Sequence, residues 1–300
     1  MEPSKIIQLI SLWIAIALPF IGNSQILSQI PKGYWVVCGD DKVLVINPAI
    51  GSDSSAIIWK WQFKESANQL PKEYGDYFKS LDDCKPVLDN KKILITSSTG
   101  ATCLLNIANK QIEFYAKTPM AHSADLLPGN LVAVANSTHP KGNSLELYRL
   151  DQMDKVIYSD SLYSGHGVVW NDKLQQLFVL GYTDLRTYQL TTDKNALKLL
   201  NTIIIPGEGG HDLSYVDNDR LLVSYSEGIA VYSIKSKKFE QFPPLKDIHH
   251  IKSVNWNPIS DQLVYTKAEE SWWTYHIYGI NPRQKVHIPT VKLYKVRVAH

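Results

Sequence analysis

Sulfur is scarce in this chain, with three cysteines and three methionines in 300 residues. Cys38, Cys84 and Cys103 are an odd set, and none has a second Cys or a His at the spacing of a metal knuckle. That excludes a disulfide framework and a zinc finger, and it predicts buried apolar side chains with at most one bridged pair. An excess of one charge is also missing. Thirty-one Lys and Arg against 29 Asp and Glu give a net charge of +2, and without a basic stripe nucleic acid is not an expected partner. The lysines of SIKSKKF, Lys235, Lys237 and Lys238, read as a solvated hairpin turn. Low-complexity tracts are absent, and no window holds an apolar period of 3.6 beyond a turn or two, which excludes a helical bundle.

Only one long apolar run exists, Ile6 to Ile21, with Lys5 before it and the small residues Gly22 and Ser24 after it. This pattern predicts a signal peptide over 1–24, cleaved to leave Gln25 as the mature N-terminus. The run is short for a membrane span, which needs about 20 residues; an uncleaved anchor is the alternative. The expected product is a periplasmic or secreted protein of one domain, 25–300, monomeric and free of the membrane after cleavage.

What the sequence has in quantity is strands. KKILITSS, NLVAVANS, QQLFVLGY and DRLLVSYS are short runs rich in β-branched and aromatic residues, separated by Asn, Asp, Gly and Lys turns. The one stretch that tolerates helix, Lys64 to Leu81, is polar and interrupted by Pro71 and Gly75, so it reads as an excursion on one face. Aligning the strands exposes a repeat. Asp83, His122, His166, His211 and His250 take equivalent places at intervals of 39, 44, 45 and 39 residues, and each is followed by four short strands, the signature of a propeller blade. Three strands precede the first full unit, GYWVVCG, KVLVIN and AIIWKWQF, and one, in TVKLYKVRVA, follows the last. Together they complete a sixth blade and leave the ring without a free edge. The predicted fold is all-β, a six-bladed β-propeller of four-stranded blades closed by pairing of N- and C-terminal strands.

In such a ring the residue before each innermost strand sits near the axis at one mouth. Four histidines and Asp83 are therefore expected to converge there, with the glycines of SGHG and GGH letting the loops approach the axis. AEESWWTYHIYGI adds Glu269, Glu270, Trp272, Trp273, Tyr275 and His276, a density of large amphipathic side chains suited to a sugar face. Trp59 and Trp61 share one face of a strand, where packing between blades is as reasonable as ligand contact.

TSSTG after DDCKPV, AHSADLLPGN, SGHGVVW, GGHDL, EESWWTYHI and LYKVRV together resemble an uncharacterised bacterial family of exported six-bladed β-propellers that carries a domain-of-unknown-function label. The resemblance spans about residues 33 to 299 and implies the fold and export. Lys85, His122, His166, His211, Lys252, Glu270, Trp272, Trp273 and His276 match the family pattern, whereas His249 and His250 do not.

The polar inventory suits uronic-acid chemistry. β-Elimination needs a base at C5, an acid for the departing oxygen and cations to hold the carboxylate. His166 or His211 would serve as base, with His122 beside them in the catalytic group, Tyr163 or Tyr275 as acid, and Lys85, Lys252 or Arg186 as the carboxylate partner. The expected function is thus a polysaccharide lyase with an oligosaccharide or polysaccharide ligand. The alternatives are a non-catalytic glycan- or protein-binding propeller and a glycosidase using Asp83 with Glu270 across the sugar. No organic cofactor is expected, and a divalent metal on His122, His166 and His211 is a further possibility.

Overall fold

A computed structural model describes residues 27–300; the signal-peptide expectation lies outside them. Among the described residues the strands β1 to β24, numbered in chain order, form six antiparallel sheets of four. Blades 1 to 5 are β4–β7 (residues 81–117), β8–β11 (121–161), β12–β15 (167–204), β16–β19 (212–241) and β20–β23 (251–287). Blade 6 joins the two ends of the chain. Its order is β24 (Leu293–Val298), β1 (Trp35–Gly39), β2 (Lys42–Ile46), β3 (Ile57–Gln62). Trp35 lies opposite Val298 and Val37 opposite Val296, so the ring closes as the leftover strands predict.

The apolar pattern follows from the layering. Second strands such as KILITS, LVAVAN and QLFVL are packed on both faces by neighbouring blades and are buried almost throughout, so they read as continuous apolar runs rather than alternating ones. Outermost strands such as VIYSDS and KFEQ are largely exposed. Six apolar clusters result, one in each cleft between adjacent blades. Each Val, Leu or Ile fully buried there contributes roughly 1.5 to 3 kcal/mol. Trp61 belongs to the cluster between blades 6 and 1, with its indole N–H on Ser66 Oγ at 2.9 Å, and Trp59 packs beside it, which settles both tryptophans as packing. All three cysteines are free and buried. The Lys64 to Leu81 stretch is a series of short 3₁₀ turns between β3 and β4.

The innermost strands, β24, β4 (Leu81–Val87), β8 (Ala121–Leu127), β12 (Gly167–Asn171), β16 (Asp212–Tyr215) and β20 (Ile251–Asn257), stand side by side around the axis. Short polar side chains bond backbone groups of the inner strand of an adjacent blade. Asp125 accepts from Trp170 N at 3.0 Å, Asp212 from Val254 N at 3.1 Å and Ser253 from Val296 N at 2.8 Å. Ser214 donates to Val254 O at 2.6 Å and Asn255 to Val296 O at 2.8 Å. The ring is thereby stitched at its centre.

Candidate functional site: the axial mouth

The starts of β4, β8, β20 and β24 carry register slips, and these decide which side chain reaches the mouth. The register slips between Leu81 and Asp83, between Ala121 and Ser123 and between Ile251 and Ser253, so Asp82, His122 and Lys252 are the extra residues. His166 N donates to Leu180 O while Gly167 is the residue paired with Leu180, and His211 N donates to Ser224 O while Asp212 is the residue paired with Ser224. In β24 the slip falls across Tyr294 and Lys295. A bulge turns its extra side chain out of the strand's alternation. The mouth is therefore ringed by Asp82, His122, His166, His211, Lys252 and Tyr294, one residue from each blade. This corrects the repeat alignment at two places: Asp82 rather than Asp83, and Lys252 rather than His250, which is exposed.

The three imidazoles do converge. Ring centroids of His122 and His166 are 4.3 Å apart and those of His166 and His211 are 5.7 Å apart. The glycines act through neighbouring blades rather than through the axis. A Cβ on Gly210 would stand 2.4 Å from Gly181 O, and one on Gly167 would stand 2.4 Å from Leu213 Cβ, so only glycine lets these loops lie so close to the adjacent strands.

Hydrogen bonds fix the tautomers. His122 Nδ1 lies 2.9 Å from Met120 O and His166 Nδ1 lies 2.8 Å from Ser164 O. A carbonyl only accepts, so Nδ1 carries the proton in both rings and Nε2 is left as an acceptor. His211 holds the same tautomer, fixed from its other nitrogen. Its Nε2 faces Lys252 Nζ at 3.1 Å, an ammonium that only donates, so the proton of His211 sits on Nδ1, which is buried without a partner. Burial pushes all three imidazoles down. His166 falls well below its ordinary range, with His122 and His211 adding to the effect; His211 falls to about 3, with Lys252 contributing; in His122 burial outweighs the carboxylate of Asp82. All three are neutral at pH 7.

Directly beneath the ring the axis is plugged. Lys295 Nζ bonds His166 O at 3.0 Å, His122 O at 3.3 Å and Asp212 Oδ1 at 3.2 Å. Arg297 then forks onto two carboxylates, bonding Asp83 through Nε at 2.7 Å and Nη2 at 2.9 Å, and Asp212 through Nη1 at 3.0 Å and Nη2 at 2.7 Å. Burial would push Asp83 up, but Arg297 and Lys295 outweigh it and hold the carboxyl well below its usual range; Asp212 is lowered by the same cations. Beyond the plug, at the far end of the inner strands, is a cavity of about 180 Å³ lined by Lys85, Asp125, Trp170, Tyr215, Asn255 and Arg297.

The plug separates residues that sequence reasoning placed together. Lys85 belongs to the far cavity, with its ammonium on Val168 O and 3.8 Å from Asp125. Asp83 is 1% exposed, with both oxygens on Arg297, so it cannot face Glu270 across a sugar as a glycosidase pair. Glu270 lies in an exposed loop, its amide on Trp273 O. Arg186 is committed to Asp184 and to Ser161 O. Tyr163 is 59% exposed and packs on Tyr182; Tyr275 packs on Trp273, which also takes Lys292 over its ring. His276 bonds Glu269 at 2.6 Å, and burial of Glu269 is outweighed by hydrogen bonds from Thr274, Tyr278 and His276 that bring its carboxyl down to about 2. Glu269 is thus the hub of the loop that carries the tryptophans. Of these aromatic residues Trp272 approaches the ring, 46% exposed and 5.9 Å from Tyr294.

The divalent-metal reading of His122, His166 and His211 is overturned. Among the described residues no group of three or more His, Cys, Asp or Glu is placed to hold a metal ion. The physical reason is the cations: the ammonium of Lys252 takes His211 Nε2, and Lys295 lies just below.

A family model described as a family of unknown function, DUF6528, matches residues 20–299, almost the whole chain. The chain belongs to DUF6528. No curated protein matches it. The DUF6528 chain is similar in fold to a chain in the crystal structure of a nidogen/laminin complex, with a TM-score of 0.62 over 89% of this chain and 98% of that one. Identity is 12%, so the likeness shows the fold alone.

Proposed function

We propose that this protein is a non-catalytic, glycan-binding propeller whose ligand sits at the mouth ringed by Asp82, His122, His166, His211, Lys252 and Tyr294. The observation that carries the reading is the fixed polarity of that ring: two imidazoles held as acceptors and an ammonium held as donor beside a half-exposed tryptophan. Sugar hydroxyls need both donors and acceptors in fixed directions, and the apolar face of the ring needs an aromatic platform such as Trp272. An exported location, starting at Gln25, belongs to the same proposal and rests on the N-terminal apolar run.

β-Elimination is the weaker reading for a chemical reason. A general base works best with a pKa near the operating pH, and burial takes His166 and His211 far below it. The nearest phenol, Tyr294, is pushed well above its ordinary value by burial and by Asp82, and Tyr163 and Tyr275 are paired with other aromatic rings.

Calorimetric titration of the purified protein with a panel of oligosaccharides, run beside a spectroscopic assay for unsaturated uronate, tests the proposal. Expected is binding without turnover, weakened at least about tenfold in His166→Ala. Turnover lost in that variant would restore the lyase, and absence of binding across the panel would remove the glycan reading.

A further inference from the structure

We infer that the mouth selects a glycan carrying a negatively charged substituent, held by Lys252. The inference rests on the glycan reading above and adds the charge of the ligand. Four cations line the axis, and three of them have carboxylates: Lys85 with Asp125, Lys295 with Asp212, and Arg297 with Asp83 and Asp212. Lys252 does not. It is 8% exposed, and among the described residues no carboxylate forms an ion pair with it; its hydrogen-bond partner is the neutral imidazole of His211, at 3.1 Å. A buried ammonium without a counter-ion is unfavourable unless an anion arrives to share the site.

The single acceptor Lys252 has is thus neutral, His211 Nε2, and the remaining N–H bonds of its ammonium suit a carboxylate or a sulfate ester better than a hydroxyl. Asp82, the ring's own acid, does not fill the place: it sits beside His122 at 3.7 Å and takes the amide of Ser98. A cavity of about 260 Å³ lies next to the anchor of His122, lined by Met120 together with Lys117, His139 and Lys141. Lys117 there is 3.5 Å from Glu73, across exposed side chains.

Matched neutral, carboxylated and sulfated oligosaccharides of several linkages, titrated against the full chain and its Lys252→Met variant, test the inference. The expected result is tighter binding of an acidic member than of its neutral counterpart, by about tenfold or more, with that preference lost in K252M because the acidic member's affinity falls much further than the neutral counterpart's. The carboxylate and sulfate arms tell which group is taken. Equal binding of neutral and acidic members, or an acidic preference that survives in K252M, overturns the inference and leaves the glycan reading standing; no binding by any member overturns both. Circular dichroism of K252M confirms that it is folded.

Discussion

Two layers of the same axis, one or a few residues apart on the same strands, are built on opposite principles. In the plug, Arg297 and Lys295 spend nearly every donor on Asp83, Asp212 and backbone carbonyls. In the ring above it, three neutral imidazoles and one ammonium are left with acceptors and donors unused. A paired buried charge is tolerated because its partners replace water, whereas an unpaired one persists only where something else benefits. The comparison teaches that charge at the axis does not mark the site by itself. Missing partners mark it.

The comparison can be broken most severely by removing the plug's strand. Deleting Lys292 to His300 takes away β24, both plug cations and the pairing with β1, and equilibrium unfolding is expected to show no cooperative native transition; a near-normal midpoint would refute closure by this strand. Next is Arg297→Met, which strands two buried carboxylates beside one lysine. It is expected to cost about 3 to 5 kcal/mol in denaturant unfolding, a larger loss than any single ring substitution.

Acid separates the layers. The histidines ordinarily titrate near 6.5, and His211 in the fold does so at about 3, so between those values the unfolded chain binds protons that the native chain refuses. Stability is therefore full above pH 6.5 and falls as pH drops toward 3. Asp83 and Asp212 are depressed below their ordinary 3.8, so their contribution is present above that value and is lost below it. Denaturation midpoints followed from pH 8 to about 1.5 should thus decline in two stages, the first reduced in His211→Gln and the second, below about 3.8, unchanged.

The smallest effect has the opposite sign. Lys252→Met replaces an ammonium that burial and Lys295 have already lowered to about 8, and its thermal unfolding is expected to show a gain of about 1 kcal/mol. Below the folded value the wild type carries the full penalty of the buried charge, so this gain should shrink as pH rises from 8 toward the ordinary 10.5. A loss of stability in K252M would mean that Lys252 is structural.

Sequence alone determined the ring and its closure. Strand length, turn chemistry and a repeat near 40 residues are local properties, and the three leading strands and one trailing strand could complete only each other. The histidine convergence was legible for the same reason, since equivalent positions in a closed ring must meet. What tertiary structure decided was offset and partnership. A bulge shifts the mouth residue by one place without changing composition, which is why Asp82 and Lys252, not Asp83 and His250, complete the ring. Pairings across blades, such as Arg297 with Asp83, 214 residues apart, leave no local pattern, yet they decide that Lys85 and the histidines open onto different ends of the axis. Burial sets the rest: whether an imidazole is a base at neutral pH, and whether a lysine has an anion, depends on what the other five blades bring beside it.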